Sequence, residues 1–300
     1  MSSKIRTYFE LQESESNLPE QIAAQAARVE ERLEEVQSVV AIMSGKGGVG
    51  KSLLSAALAA ALSQDGCSVG LVDADLNGPS VTGLLGVSKG SLRETDDGVE
   101  PAVTASGVRV MSMALLLEAD TGLAWHDSAD AGFVWRGAQE RGALREFICD
   151  VSWGPLEVLL VDLPPGTQRL AELHGLVPSL TGAIAVTIPS SASRDAVARS
   201  LDLAARRSLP VRGLVENLVG VRCDECREVT PLYDGQAGRE LSDRFGVPLL
   251  ARLPFDRALA TAADAGALEA WLDSEGHVQS EIHALAATVA GWASASEAGP

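Results

Sequence analysis

The sequence predicts an α/β fold of three layers, in which helices cover both faces of a mostly parallel sheet. Three observations support this: short apolar stretches alternate with amphipathic ones, the apolar stretches contain few polar residues, and aromatic residues make up only 4% of the 300 residues. Strands of a parallel sheet are buried on both faces, and this makes them nearly continuous apolar runs. A hydrophobic content of 46% is enough for one large core.

The first expected element is a helix near the N-terminus. Asn17 and Glu20 have the spacing of a helix start, and apolar residues then recur on one helical face as far as Val36. Strands are expected at 37–43, 68–73, 107–112, 157–162, 182–188, 213–220 and 248–253. Helices are expected at 51–63, 137–149, 192–207, 236–245 and 278–292, and a surface excursion at 87–106. We therefore expect an N-terminal extension and helix at 1–36 and a single domain at 37–300.

The net charge of the chain limits its partners. A charge of −17 repels the phosphates of nucleic acids and anionic lipids, so neither is expected to bind. No run of about 18 apolar residues is present, so no segment is expected to span a membrane. The first residues also lack the apolar stretch of a signal peptide, and we expect a cytoplasmic protein.

A glycine-rich motif lies between the first expected strand of the sheet and the helix that follows it. Residues 45–52 are Gly-Lys-Gly-Gly-Val-Gly-Lys-Ser, a complete phosphate-binding loop. Its backbone N–H groups surround the phosphates of ATP, its second lysine contacts the β- and γ-phosphates, and its serine hydroxyl binds Mg²⁺. The predicted nucleotide-binding residues of the loop are Gly45, Lys46, Gly47, Gly48, Val49, Gly50, Lys51 and Ser52.

Three carboxylate side chains lie at the ends of expected strands next to this loop. Asp162 follows the apolar run Val158–Val161, which is the Walker B arrangement, and we expect it to hold Mg²⁺ together with Ser52. Asp73 and Asp75 come at the end of the second strand in the same manner. Acids at strand ends are usually turn formers or helix caps, but three at one edge beside a phosphate loop favour a metal–nucleotide site.

The lysine directly after the first glycine makes the loop more specific. Lys46 resembles the signature lysine of the deviant Walker A motif in the MinD/ParA/ArsA-type group of P-loop NTPases. The resemblance implies that Lys46 contacts the partner's nucleotide across a dimer, in a catalytic role like that of an arginine finger. It also implies that Asp73 supports the Mg²⁺ shell and that Asp75 orients the attacking water.

Further stretches in chain order resemble the Mrp/ApbC family of iron–sulfur carrier ATPases. The resemblance extends from about residue 35 to about 260, and its most specific element is Cys223-x-x-Cys226 shortly after Asn217. It implies that the cysteines bind a bridging [4Fe–4S] cluster for delivery to recipient apoproteins, that cluster assembly proteins are partners, and that Asn217 lies near adenine. The stretches are 73–80, 134–137, 153–154, 162–167, 215–217 and 254–256.

The chemistry of the cysteine pair agrees with a homodimer. A cubane cluster takes four thiolates, and one chain offers two at close spacing. A shared Cys₄ zinc site satisfies the same count. A redox dithiol is a third interpretation, although two acids separate the cysteines and reactive pairs lie in electropositive surroundings. Cys67 and Cys149 are expected to be core residues.

One departure from the family's pattern affects the expected activity. The family's glycine and aspartate after the double proline are replaced by Gln168 and Arg169, so we expect slow hydrolysis of ATP.

The alternative function is a positioning or partitioning ATPase of the MinD/ParA type. The last expected helix contains no lysine or arginine, whereas a membrane-binding helix of that type is basic.

Overall fold

The computed structural model describes residues 26–88, 91–116, 142–223, 225–226 and 228–297. The strands in these ranges are β1 (Val36–Ser44), β2 (Val69–Asp73), β3 (Arg93–Thr95), β4 (Gly98–Glu100), β5 (Ala102–Val103), β6 (Arg109–Ser112), β7 (Leu156–Asp162), β8 (Gly182–Thr187), β9 (Val211–Arg222), β10 (Val229–Pro231) and β11 (Leu249–Phe255). The helices are α1 (26–32), α2 (Lys51–Gln64), α3 (Val81–Leu84), α4 (142–149), α5 (Arg169–Leu176), α6 (Ser191–Arg206), α7 (Ala237–Phe245), α8 (Arg257–Asp264), α9 (Leu268–Leu272) and α10 (His277–Glu297).

Nine of these strands form one twisted sheet in the order β10-β9-β8-β1-β7-β2-β6-β5, with β11 also paired to β9. The pairs among β6, β2, β7, β1, β8, β9 and β11 are parallel, whereas β5 and β10 are antiparallel to their neighbours. β3 and β4 form a separate antiparallel hairpin. The mostly parallel sheet predicted from the sequence is confirmed.

The two faces of the sheet belong to two hydrophobic clusters. In β1, Val40 and Ile42 pack on the side of α2 and α10, while Val39 and Ala41 pack on the side of α4, α5 and α6. This alternation arises because successive side chains of a strand point to opposite faces. Helices therefore cover both faces, as the sequence predicts.

The last helix of the described residues buries an apolar face against the sheet. Val278, Ile282, Leu285 and Val289 of α10 are at most 2% exposed. Among the described residues, no helix has the length and hydropathy required to cross a bilayer. Near the N-terminus, α1 buries Val29 and is followed by the buried Leu33. The expected helix start at residue 17 lies outside the described residues.

The expectation for residues 87–106 is partly wrong. β3 and β4 do form a hairpin with exposed and half-buried residues, but Ala102 of β5 is buried and pairs with Val110 of β6 in the main sheet. A strand of two residues is too short to show the alternation that identifies strands in a sequence. The helices α3, α5, α8 and α9 were also missed, and each has only four to eight residues.

Candidate nucleotide and metal site

The glycine-rich loop joins the end of β1 to the start of α2 at the carboxyl edge of the sheet. Gly48 and Gly50 have φ angles of 76° and 81°, which side-chain-bearing residues rarely adopt. A Cβ atom on Gly50 would lie 2.3 Å from Nδ2 of Asn217, and one on Gly45 would lie 2.4 Å from the Ala196 carbonyl carbon. Backbone conformation and close packing therefore both require glycine in this loop.

The second lysine of the loop forms a buried ion pair with the acid at the end of β7. Nζ of Lys51 lies 2.8 Å from Oδ1 of Asp162, and the two side chains are 6% and 0% exposed. The Ser52 hydroxyl donates to Oδ2 of the same carboxylate at 2.6 Å. A buried charge is tolerated only when it is paired and hydrogen-bonded, and here both conditions are met before a ligand binds.

A serine that the sequence analysis missed completes this network. Ser55 lies one helical turn after Lys51, is fully buried, and has its hydroxyl oxygen 2.6 Å from Oδ1 of Asp162. Ser55 lies on the same face of α2 as Lys51, because residues four positions apart are neighbours on the surface of a helix. That spacing is the only signal in the sequence that could have identified it.

The acid at the end of β2 lies beside Asp162. Asp73 and Asp162 are paired in register on the neighbouring strands β2 and β7, and both are fully buried. Burial, followed by the negative charge of Asp162, raises the pKa of Asp73 from 3.8 to about 6. Backbone N–H groups of Asp75, Ser80 and Val81 donate to the Asp73 carboxylate and act in the opposite direction.

These oxygen atoms fit a divalent cation. A hydroxyl from Ser52 and carboxylates from Asp73 and Asp162 are the hard ligands that Mg²⁺ takes, directly or through water. Asp73 and Asp162 are buried on neighbouring strands, so a cation at this edge would relieve the repulsion that, after burial, raises the pKa of Asp73. The residues present therefore suit Mg²⁺ as well as phosphate.

The two residues expected to act in catalysis lie outside this buried network. Asp75 is half-buried, and its Oδ1 accepts a hydrogen bond from the Gly78 N–H at 3.2 Å. Lys46 is also half-buried, and within the described ranges no carboxylate forms an ion pair with its ammonium group. Both stand at the loop edge of the site, where they are accessible to a ligand or to a second chain.

Asn217 contacts the glycine-rich loop from β9. Its Nδ2 donates to the carbonyl oxygen of Val49 at 3.0 Å. The next residue, Leu218, has a φ of 54°, which bulky side chains rarely adopt, and the pairing of β9 with β11 shifts register between Asn217 and Val221. Asn217 thus positions the loop directly, and β9 continues from it towards Cys223.

The segment after the double proline is tied to the same loop. The Gly166 N–H donates to the carbonyl oxygen of Ser44 at 3.0 Å, and Gly166 has a φ of 142°. Gln168 precedes α5 without a capping side-chain hydrogen bond, and Arg169 forms an ion pair with Glu172 at 3.0 Å. The residues that replace the expected glycine and aspartate thus lie at the start of a helix beside the phosphate loop.

The C-x-x-C pair lies at the far end of β9. We call the described residues of 220–233 the cysteine hairpin, since β9 and β10 form its arms and Cys223 and Cys226 lie between them. Both cysteines are exposed and neither is in a disulfide bond, and Sγ of Cys226 is 4.0 Å from a carboxylate oxygen of Glu228. Large apolar side chains around them are 37–48% exposed: Val221, Val229, Leu232, Tyr233 and, from β11, Phe255.

The remaining cysteines have the environment expected of core residues. Cys149 is buried and Cys67 is half-buried, and burial is the main cause that raises the pKa of both thiols. Across the described part of one chain, no group of three or more His, Cys, Asp or Glu side chains is arranged to hold a metal ion.

The chain matches known proteins over most of its length. Residues 35–290 match the ParA family model described as NUBPL iron-transfer P-loop NTPase. The iron-sulfur cluster carrier protein of Saccharolobus solfataricus is 37% identical over 82% of this chain and 81% of that protein. The cytosolic Fe-S cluster assembly factor NUBP2 of Homo sapiens is 37% identical over 77% of this chain and 84% of that protein.

Solved structures agree with these matches. A nucleotide-binding protein from Archaeoglobus fulgidus, in complex with ADP, has a TM-score of 0.69 and 33% identity, covering 82% of this chain and 93% of that one. The septum site-determining protein MinD of Pyrococcus horikoshii, complexed with Mg-ADP, has a TM-score of 0.58 over 84% of this chain and 95% of that one. At 22% identity, the second likeness shows the fold alone. The chain belongs to the NUBPL iron-transfer P-loop NTPase family.

Proposed function

We propose that this chain is an Mg²⁺-dependent ATPase that carries a [4Fe–4S] cluster between two copies of itself and delivers it to recipient apoproteins. The observation that carries the proposal is the exposure of Cys223 and Cys226 together, at the tip of a strand that also contacts the phosphate loop. An exposed thiol pair suits a cargo that has to be received and released. Thiolates are also the ligands that iron–sulfur clusters take.

The homodimer is proposed from the ligand count and from the surface around the cysteines. Two thiolates are half of the four that a cubane cluster takes, and a two-fold axis through the hairpin supplies the rest. The exposed apolar side chains of Leu232 and Tyr233 offer contact area for a second copy.

The charge of the segment that contains the cysteine hairpin favours contact between two copies through the hairpin. Residues 191–257 contain eleven arginines and ten acidic residues, although the whole chain has a net charge of −17. Two copies that meet through the cysteine hairpin, which lies in this segment, therefore bring together nearly neutral regions. Contact through other regions of the chain would bring strongly acidic surfaces together, and like charges raise the free energy of association.

The nucleotide half of the proposal rests on the buried network around Asp162. Lys51 and the loop amides bind the phosphates, Ser52, Asp73 and Asp162 hold Mg²⁺, and Asn217 lies near the adenine. Mg²⁺, when bound, neutralises charge on the phosphates during hydrolysis. Lys46 of each chain contacts the nucleotide of the other, and Asp75 orients the water that attacks the terminal phosphate.

The names of the relatives support the partners and the compartment. The archaeal relative is named a cluster carrier and the human relative a cytosolic assembly factor. We accordingly propose cytoplasmic action alongside cluster assembly proteins. For the alternative, a positioning or partitioning ATPase, α10 has no lysine or arginine to bind an anionic surface. We therefore retain the iron–sulfur carrier as the proposed function.

Anaerobic reconstitution with iron and sulfide tests the proposed cargo. Wild type is compared with a Cys223→Ala/Cys226→Ala variant and with a Cys67→Ala/Cys149→Ala variant, which removes the same number of thiols from elsewhere. We expect wild type and the second variant to hold equal iron and sulfide, and the first variant to hold neither. Equal iron in all three proteins would exclude the cysteine hairpin as the cluster site. Zinc bound without sulfide would favour a structural Cys₄ site.

A further inference from the structure

The acid at the end of β7 receives three side-chain donors, and one of them differs from the others. Lys51 and Ser55 contact Oδ1 of Asp162 at 2.8 and 2.6 Å, and Ser52 contacts Oδ2 at 2.6 Å. Lys51 and Ser52 belong to the phosphate loop motif, whereas Ser55 belongs to no motif and is fully buried. The question is what this third donor does.

The geometry shows where the hydroxyl hydrogen of Ser55 goes. Its oxygen is 2.6 Å from the Asp162 carboxylate and 3.1 Å from the backbone carbonyl oxygen of Lys51. A hydroxyl has one hydrogen to donate, and a charged acceptor at the shorter distance forms the stronger bond. The hydrogen therefore goes to Asp162, and the contact with Lys51 fixes the hydroxyl relative to the helix.

The other two donors to Asp162 also contact the ligand or the metal ion in the proposed nucleotide complex. Lys51 is the residue that contacts the phosphates, and Ser52 is the residue that binds Mg²⁺. Ser55 lies one turn deeper in α2 and faces only the interior, so its hydroxyl stays committed to Asp162. Of the three side-chain donors to Asp162, Ser55 is therefore the one that does not contact a ligand in the proposed complex.

We infer that Ser55 is a positioning residue, which fixes the orientation of the Asp162 carboxylate for Mg²⁺. The inference rests on the proposed Mg²⁺–nucleotide function and concerns this chain's own residues within it. Loss of the hydroxyl leaves Asp162 free to rotate once Lys51 turns to the phosphates. Binding of Mg²⁺ is then weakened, while the contacts of the loop with the nucleotide itself are unchanged.

Binding of a fluorescent ADP analogue to the full chain tests the inference without using hydrolysis. Its affinity is measured in EDTA and during a titration with MgCl₂, for wild type and Ser55→Ala. A hydrogen bond to a charged group is typically worth enough to change an equilibrium by about tenfold, so the half-saturating Mg²⁺ concentration rises by about that factor. Affinity for the analogue in EDTA stays at the wild-type value.

Ser63→Ala is the matched control. Ser63 lies in the last turn of the same helix and donates a bond of the same length, 2.6 Å, but to the backbone carbonyl oxygen of Ser106. Its replacement is expected to leave the Mg²⁺ titration unchanged. Ser55→Cys, which keeps the size of the side chain with a weaker donor, is expected to fall between wild type and Ser55→Ala. Ser55→Cys decides the test if Ser55→Ala does not fold.

The outcomes separate this inference from the proposed function. A wild-type affinity that does not respond to Mg²⁺ contradicts the proposed metal site itself. A wild-type response that Ser55→Ala leaves unchanged overturns only the role of Ser55. Equal weakening with and without Mg²⁺ also overturns it, because the hydroxyl then supports the loop and not the metal ligand.

Discussion

The phosphate edge of the sheet and the cysteine hairpin are built in opposite ways. At the phosphate edge, Lys51, Asp162 and Asp73 are buried, and each has a hydrogen-bond or ion-pair partner within the chain. At the cysteine hairpin, two thiols and a set of large apolar side chains are exposed. One site is organised before any ligand binds, because buried charges require partners at all times. The other offers ligands and contact area that are completed from outside the chain.

This difference indicates a division of tasks along β9. Asn217 contacts the phosphate loop near the middle of the strand, and Cys223 follows directly after its last residue. The strand thus joins a site that is preorganised for phosphate to one that is suited to exchange.

Lys46 is expected to give the largest effect, because we propose that it contacts the nucleotide of a second chain. We expect Lys46→Ala to lower ATP hydrolysis at least about a hundredfold, since cations that reach across to a phosphoryl group contribute about 10³-fold or more elsewhere. Affinity for ATP should change by less than about threefold, the range of an ordinary surface contact. Steady-state hydrolysis and equilibrium binding measure the two effects.

Lys51→Met is the control for this prediction, since it removes the lysine that we propose contacts phosphate within the same chain and should abolish binding. A Lys46→Ala variant that hydrolyses ATP at the wild-type rate would show that the phosphate edge needs no second chain.

The pH dependence of stability tests the burial of Asp73 beside Asp162 at the phosphate edge. The raised pKa of Asp73 means that the folded state favours its protonated form, so the contribution of Asp73 to stability is greatest below pH 3.8 and is lost as pH rises through about 6. Between pH 4 and pH 8 without Mg²⁺, the stability of wild type should fall by about 3 kcal/mol relative to that of Asp73→Asn, which has no carboxyl group to ionise at this position. Urea unfolding at several pH values measures this difference.

Asp243→Asn, at an exposed position on α7, serves as the reference variant and should behave as wild type. If the difference in stability between Asp73→Asn and wild type is the same at every pH, the pKa of Asp73 is not raised by burial and by the charge of Asp162 as described.

The apolar side of the cysteine hairpin is expected to give the smallest effect. Leu232→Ser should raise the dissociation constant of the reconstituted dimer by about tenfold, because buried apolar contacts at an interface are worth about 1 kcal/mol or more. The free energy of unfolding of the single chain should change by less than about 0.5 kcal/mol, since the side chain is exposed. Sedimentation equilibrium and urea unfolding measure these two quantities.

Val103→Ser provides the comparison, because Val103 is a more exposed apolar residue that lies outside the hairpin. Equal dissociation constants for the two variants would place the dimer interface elsewhere.

The sequence predicted most of the sheet and the residues of the phosphate edge. Motifs with fixed spacing identified the loop, and strands of five or more residues showed the apolar pattern that locates them. Short elements such as β5 and α9 were missed, because two to five residues carry no periodicity.

Contacts between residues that are far apart in the chain could not be predicted from the sequence. Ser55 meets Asp162 across 107 positions, and the buried Glu216 accepts bonds from Arg252 and from the Gly238 N–H. Neither arrangement has a motif of its own, since the packing of helices on the sheet creates it. The exposure of Tyr233 and its neighbours likewise follows from where β10 lies, at the edge of the sheet.

Native mass spectrometry of the anaerobically reconstituted protein tests the shared cluster most directly. We expect a species of two 31.2 kDa chains with one cluster of four irons and four sulfides, and for Cys226→Ala a single chain without iron. A single chain that holds the complete cluster, or a dimer of Cys226→Ala that retains it, would contradict a cluster carried between two copies.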